Sequence, residues 1–266
     1  MCKADIKDAF KLVPIKESLW PYYGVKWDNK YYFYTWLVFG SRSSPKIFDS
    51  FSDTICWILH NNYGVEHVLH LLDDFLTIDP LDGEPDRTGE PDRTMAILSL
   101  IFSKLKVPLA PTKTVGPTTQ LEYLGIILDT INMEARLLFK NIQRISGIVQ
   151  SFAHRRSCTK RELLSLLKHL NFACRVIYPG QAFVSYLISP AASVEQLHHH
   201  VHLIAECRAD LQMWLLFLLQ WNGISFFSND TVTPVENMQF FTDATLTDFG
   251  SFFNGKWFQG HSSLPN

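Results

Sequence analysis

The run "VLHLLDDFLTI", Val68 to Ile78, sets two adjacent carboxylates, Asp73 and Asp74, inside an apolar, strand-like segment. Neighbours on a strand point to opposite faces, so within a buried strand at least one of the two charges would be driven into the core. A turn avoids that cost. If "VEHVLHLL" and "FLTID" are the arms of a hairpin, Asp73 and Asp74 lie at its tip, within reach of solvent or of a cation. Hard divalent ions such as magnesium take carboxylate oxygens as ligands. Taken alone, the pair is equally what a polar turn contains.

Upstream, "KADIKDAFKLVPI" puts Asp5 at the end of a short strand-like run, followed by Asp8 and the aromatic Phe10. "YYGVKW" and "YYFYTWL" are aromatic and β-branched, and "DNK" between them (Asp28 to Lys30) supplies turn chemistry, so a hairpin is expected there. In "FGSRSSPKIFDSFSDTICWILHNN", Ser44 and Pro45 read as cap and first-turn residues, followed by Ile47, Phe48, Phe51, Ile55, Ile58 and Leu59 at helical spacing. A helix therefore leads up to the acidic pair.

Downstream lies "GEPDRTGEPDRT", Gly83 to Thr94, a tandem hexapeptide rich in turn formers and charge, read as a lengthened exposed loop. "MAILSLIFSKLKV" resumes helical periodicity, "LEYLGIIL" reads as a buried strand, and "INMEARLLF" is its candidate partner. From about Lys140 the pattern becomes helical, with Thr159 and Glu162 forming a capping box, and a second subdomain is expected. One long helix is expected over roughly Val194 to Trp221. It would carry His198 and His202 at i and i+4, a metal-binding spacing with no third ligand in view. Strand-like sequence returns at "QFFTDATLTDFGSFFNGKWF".

The totals narrow the class. A chain of 266 residues, 47% hydrophobic and 19% charged, has the composition of a globular protein with a sizeable core. The net charge of −2 gives no global argument for a nucleic-acid partner, which would need a local basic patch. "HRRSCTKR", His154 to Arg161, is the clearest such cluster, and equally a solvated helix boundary. Five widely spaced cysteines fit neither a disulfide framework nor a zinc site, so a reducing, intracellular compartment, cytoplasmic or nuclear, is expected. The N-terminus lacks a signal-peptide core, and the apolar stretch from Met213, "MWLLFLLQW", is short of a membrane span and reads as a buried helix.

The ordered set "ADIKDAF", "FGSRSSP", "LLDDFL", "APTKTVGPTT" and "EYLGIILDT" resembles the successive palm motifs of reverse transcriptases, most of all those of retrotransposons of the DIRS-like, tyrosine-recombinase group. Each motif alone is weak; the series covers most of the chain. It implies an α+β fold. A right-hand polymerase palm, a ferredoxin-like sheet with helices, would occupy residues 1–136, a helical thumb and connection 137–222, and the start of an RNase H-like α/β domain 223–266.

By the same resemblance, Asp5 and Asp73 would hold two Mg2+ ions, with Mn2+ as a substitute, Asp74 assisting and the Ile6 carbonyl as a further ligand. The ions would lower the pKa of a primer 3′-hydroxyl and neutralise the phosphate under attack. Lys113 in "APTKT" matches a lysine that protonates the leaving pyrophosphate, and is equally a solvated loop lysine. Phe10 would exclude a 2′-hydroxyl from the incoming sugar, or serve as ordinary core; Asp8 would be structural. Gly40 would let the backbone approach nucleotide and template, and Arg42 would contact phosphate, although a loop and helix cap need the same residues. The partners implied are an RNA template, a DNA primer and dNTPs.

"FFTDATLTDFGSFF" resembles the first strand of an RNase H domain, with Asp243 as its first metal-binding carboxylate and Asp248 where a glycine is expected. The fingers that precede the Asp5 motif and the later RNase H carboxylates have no counterpart in the sequence, which reads as a palm, thumb and connection fragment of a retroelement polyprotein. Three functions follow as alternatives: RNA-directed DNA synthesis, nucleic-acid binding by an inactive remnant, and hydrolysis of RNA in a hybrid.

Overall fold

The computed structural model describes residues 1–79, 93–221, 223–226, 239–245, 247–253 and 255–261. The GEPDRT repeat lies outside them except for Arg93 and Thr94. Two compact units divide the chain, Met1–Phe226 and Phe227–Asn266.

In the first unit, β1 (Cys2–Asp5) is buried and leads into a 3-10 turn at Ala9–Leu12. β2 (Gly24–Trp27) and β3 (Lys30–Phe33) pair as the expected hairpin. Its turn residues Asp28 and Asn29 have φ of 47° and 58°, a conformation that a two-residue hairpin turn requires and that these two residue types tolerate. α1 (Ser44–Tyr63) has Ser43, one residue earlier than expected, as its N-cap, and Gly64 closes it in the left-handed region. Its face of Phe48, Ser52, Ile55 and Leu59 is buried.

β4 (Val68–Leu71) and β5 (Asp74–Thr77) form the hairpin expected from the opening stretch, with one refinement. The tip is Leu72–Asp73, and Asp74 is the first residue of β5 rather than part of the turn. The sheet order is β1-β5-β4, which makes β5 central and accounts for its buried Phe75, Leu76 and Thr77. α2 (Arg93–Lys104) and α1 close one core over this sheet, in which Phe75 and Phe102 meet edge to face at 5.3 Å.

On its other side β1 is bordered by the segment from Pro108 to Thr118. Lys3 and Val115 exchange backbone bonds of 2.7 and 2.8 Å, and Ala110 N–H donates to the Asp5 carbonyl at 2.8 Å. Gly116 permits this approach: its φ is 139°, and a Cβ there would stand 2.7 Å from Cys2 Cα. Between the two anchors the chain turns outward, with Lys113 on the turn.

β6 (Gln120–Tyr123), β7 (Ile126–Asp129) and β8 (Glu134–Leu137) follow as an antiparallel meander. The single strand expected over "LEYLGIIL" is thus a hairpin, broken at Leu124 and Gly125, which take φ of 49° and 80°. Five apolar side chains around one glycine concealed that turn.

The helical part comprises α3 (Phe139–Ala153), β9 (Ser157–Thr159), α4 (Lys160–Ala173), α5 (Ser185–Ala192), β10 (His200–His202) and α6 (Ala205–Leu216), which continues as a widened π-type turn through Phe217–Trp221. Their core is built on Ile145, Val149, Leu163, Leu166, Leu170, Leu211 and Trp214. The long helix expected from Val194 is corrected: residues 200–202 form a strand paired with β9, and α6 starts only at Ala205. Period two wins locally, because Val201 is buried against Cys158 while His200 and His202 face out. His198 and His202 therefore do not share a helical face. The apolar stretch from Met213 buries Trp214 and Leu218 but leaves Leu219 exposed, so it is buried on one face only.

β11 (Ile224–Phe226) pairs with β8 and extends the meander to the order β11-β8-β7-β6. The sheet thus carries the chain beyond residue 223, where the third segment was expected to start. The second unit contains one antiparallel sheet, β12 (Phe240–Ala244), β13 (Asp248–Phe253) and β14 (Lys256–His261).

The expected capping box is complete at α4: the Thr159 hydroxyl accepts from Glu162 N–H, and the Glu162 carboxylate accepts from Thr159 N–H at 2.8 Å. Those bonds, from the Thr159 backbone and hydroxyl and then from Arg155, hold the Glu162 carboxyl at about 2. A depressed carboxylate stabilises the fold fully above its unfolded value of 4.5, and the contribution is lost as pH falls toward 2. Thr159→Ala should lower stability by about 1 kcal/mol in urea unfolding at neutral pH. Glu162→Gln should lose less stability between pH 5 and pH 2 than the wild type does (roughly the interval set by the linkage relation).

Among the described residues, no helix is long and apolar enough to cross a membrane. Among the described residues no disulfide joins any of the five cysteines, and burial pushes the thiol of Cys56 up to about 12 and that of Cys158 up to about 11.

Candidate active site

The hairpin turn and the end of β1 bring three carboxylates to one end of the strands β1 and β5. Asp5 lies directly across from Asp74 in the β1–β5 register, and Asp73 stands beside them on the turn. Leu72, the first turn residue, has φ of 55°, which is costly for a side chain of its shape. Two bonds hold the turn in place. The Ser52 hydroxyl, buried on α1, donates to the Leu72 carbonyl at 2.7 Å, and Ile6 N–H donates to the Asp73 carbonyl at 2.9 Å.

Each carboxylate has a different environment. Asp5 is 4% exposed, and its Oδ2 accepts from Lys113 Nζ at 3.0 Å. Lys113 is well exposed, and its amine is pushed up by the hydrogen bond and the charge of Asp5. Asp74 Oδ1 lies 3.2 Å from Lys3 Nζ, and the Asp74 backbone carbonyl accepts from the Tyr123 hydroxyl at 3.3 Å. Burial and then the Asp74 charge push that hydroxyl up to about 12. The Asp73 carboxyl is pushed above the usual range, first by burial and then by the charges of Asp74 and Asp5, against the pull of its own backbone N–H and of Lys113.

The chemistry of this donor set fits a divalent cation. Asp74 Oδ1 is buried and has no hydrogen-bond donor, because Lys3 approaches it as an ionic neighbour without hydrogen-bond alignment. Three carboxylates close enough to repel one another gain from a shared cation. As arranged, however, two of the three are turned to lysines. Among the described residues no group of three His, Cys, Asp or Glu side chains stands gathered around a metal position.

The remaining expected residues are distributed as follows. Phe10 is largely buried, in ring contact with Phe48 at 5.4 Å and Phe39 at 4.8 Å, which is the ordinary-core arrangement; the exposed ring beside it is Phe39, 78% exposed. Asp8 forms an exposed pair with Lys11 at 2.9 Å. Gly40 is exposed with φ of 87°, and no atom stands within 4 Å of where a Cβ would be, so its backbone is open to approach. Arg42 is exposed and makes no hydrogen bond or ion pair among the described residues. Asp243 lies in β12 of the second unit, where its carboxylate accepts from Ala244 N–H at 2.9 Å. A cavity of about 290 Å³ there is lined by Asp243, Asp248 and His261, with Asp248 bonded to His261.

Sequence reasoning missed Lys3, Ser52 and Tyr123. Lys3 carried a signal, since it is two residues before Asp5 on one strand and so shares its face. Ser52 carried one too, a lone hydroxyl in phase with Phe48, Ile55 and Leu59.

No family model matches the chain, and no curated protein matches it. Solved structures do. A foamy viral protease-reverse transcriptase in complex with double-stranded DNA aligns over 98% of this chain with a TM-score of 0.64 and 15% identity, covering 42% of that chain. The foamy viral enzyme in complex with an RNA/DNA hybrid aligns with a TM-score of 0.59 and 17% identity, covering 33% of its chain. A third, again with double-stranded DNA, gives 0.58, 16% and 51%. The chain thus has the mixed helix-and-sheet fold seen in these reverse transcriptase structures, and spans about half of their length or less.

Proposed function

We propose that this chain is a reverse transcriptase domain of a retrotransposon and that Asp5, Asp73 and Asp74 mark its nucleotidyl-transfer site. The observation that carries this reading is the register of β1 against β5. It sets Asp5 across from Asp74 beside a strained acidic turn, with Lys113 Nζ 3.0 Å from Asp5, on a fold shared with reverse transcriptases. In this reading residues 1–136 form the palm, 137–222 the thumb and connection, and the RNase H-like segment expected over 223–266 begins after β11, which belongs to the sheet of the first unit. The DIRS-like assignment rests on the sequence motifs.

Asp5, Asp73 and Asp74, with the Ile6 carbonyl, would hold two Mg2+ ions, or Mn2+ in their place. Bound there, the ions supply charge neutralisation at the phosphate and a lowered pKa of the primer 3′-hydroxyl. The primer 3′-hydroxyl would release its proton to solvent, its oxygen would attack the α-phosphorus of the dNTP, and the bond from that phosphorus to the pyrophosphate oxygen would break as the new P–O bond forms. Lys113 Nζ, kept protonated by Asp5, gives its proton to the departing pyrophosphate oxygen. Gly40 offers open backbone to template and nucleotide, and Arg42 offers an uncommitted guanidinium for phosphate. Phe10 is packed in the core, so the exposed Phe39 ring in contact with it would be the one available to the incoming sugar.

Primer extension tests the reading. With poly(rA) as template, oligo(dT) as primer and dTTP, the full chain should add nucleotides in the presence of Mg2+ and none with EDTA. Absence of any extended primer contradicts it.

The β12–β14 sheet, with Asp243 in its first strand, favours a second activity, hydrolysis of RNA in an RNA–DNA hybrid. Hybrid cleavage that disappears in Asp243→Asn would support it; cleavage unaffected by that change would exclude Asp243 as its carboxylate.

A further inference from the structure

The alternation of β1 puts Lys3 and Asp5 on one face, and the β1–β5 register puts Asp74 across from Asp5, so Lys3 and Asp74 form a diagonal cross-strand pair. The Lys3 amine stands 3.2 Å from Asp74 Oδ1 and 6.0 Å from the centre of the Tyr123 ring. Its side chain is 16% exposed, against 61% for Lys113, so it is held within the wall of the site rather than swung into solvent. The oxygen it covers is inaccessible to water and has no hydrogen-bond donor. A cation seeking Asp74 Oδ1 as a ligand therefore meets a resident ammonium group at that oxygen.

We propose that Lys3 is an internal counter-cation of the carboxylate cluster, which competes with divalent metal for Asp74 and sets the metal concentration at which the site fills. The inference rests on the metal-binding reading of Asp5, Asp73 and Asp74. Lys3 acts through Asp74, so it is a positioning residue. In its resting state the amine neutralises Asp74 and limits the repulsion within the trio. On metal entry the amine yields the oxygen and swings toward the Tyr123 ring, whose face attracts a cation. Without the amine, Asp74 is unpaired and metal binds more tightly.

The test is direct Mn2+ binding to the full chain, read as free Mn2+ by electron paramagnetic resonance without substrate. Lys3→Met keeps the length and apolar stem of the side chain and should tighten the Mn2+ dissociation constant about tenfold, the low end of what a single charge within about 4–6 Å does to the charge balance of a carboxylate. Lys3→Arg, which keeps the charge, should stay near the wild type. In an Asp74→Asn background Lys3→Met should change nothing. If Lys3→Met does not fold, Lys3→Gln takes its place, and the Arg variant alone must still bind as the wild type does. Mn2+ affinity that is the same in wild type, Met and Gln variants overturns the role of Lys3 and leaves the metal site standing. No Mn2+ binding in any of them, or binding undiminished in an Asp5→Asn/Asp73→Asn variant, overturns the metal-site reading itself and Lys3 with it.

Discussion

Asp73→Asn should lower Mg2+-dependent nucleotide addition about a thousandfold or more, while the variant melts at a temperature no lower than the wild type. The loss follows from the charge a metal supplies in phosphoryl transfer, worth several kcal/mol at about 1.4 kcal/mol per tenfold in rate. The stability expectation follows from the sign of the shift. The Asp73 carboxyl is pushed up by burial and by the charges of Asp74 and Asp5. The folded state therefore takes up a proton more readily than the unfolded chain, and this group favours folding most at low pH and opposes it as pH rises past its folded value. A neutral asparagine of the same shape removes the opposition. A large fall in melting temperature would mean that Asp73 is a structural residue. Unchanged incorporation would remove it from the chemistry.

The second large effect is on the fold. Phe75→Ala should cost about 3–5 kcal/mol in urea unfolding, the usual range for emptying a buried aromatic site. Phe75 is fully buried in the central strand, edge to face with Phe102 at 5.3 Å and stacked on His70 at 5.7 Å. His70 is in turn anchored to Asp53 of α1 at 2.9 Å, so the ring joins both helices to the sheet directly behind Asp74. Against a total stability of about 5–15 kcal/mol the variant retains little margin. A change below about 1 kcal/mol would show that the core around β5 is not the one described, since even Ile→Val in a packed core costs about that much.

The hairpin that carries the acidic pair was legible because adjacent charges in an apolar run call for a turn close by, although Asp74 opens β5 while Asp73 alone sits on the turn, and the capping box at Thr159 because both of its bonds are local. Three features were hidden by competing patterns. In "LEYLGIIL" apolar residues on both arms disguised the turn at Leu124–Gly125. Between Val194 and Trp221 a helical period continued through residues that a three-residue pairing with β9 holds as a strand. Phe10 fits two roles by residue type, and only packing puts its ring in the core and Phe39 at the surface. The same is true of the site. Its carboxylates and Lys113 could be named from the motif series, whereas the pairing of Lys3 with Asp74 and of Lys113 with Asp5 depends on the register of β1 with β5 and with the segment around Val115, which no local pattern encodes.

The most direct measurement compares wild type and Asp73→Asn in one primer-extension experiment on poly(rA)·oligo(dT) with dTTP, with and without Mg2+. The proposed site predicts extension by the wild type in the presence of Mg2+ alone, and none above background by the variant. Extension that survives the substitution, or wild-type protein that adds no nucleotide at any Mg2+ concentration, would contradict it.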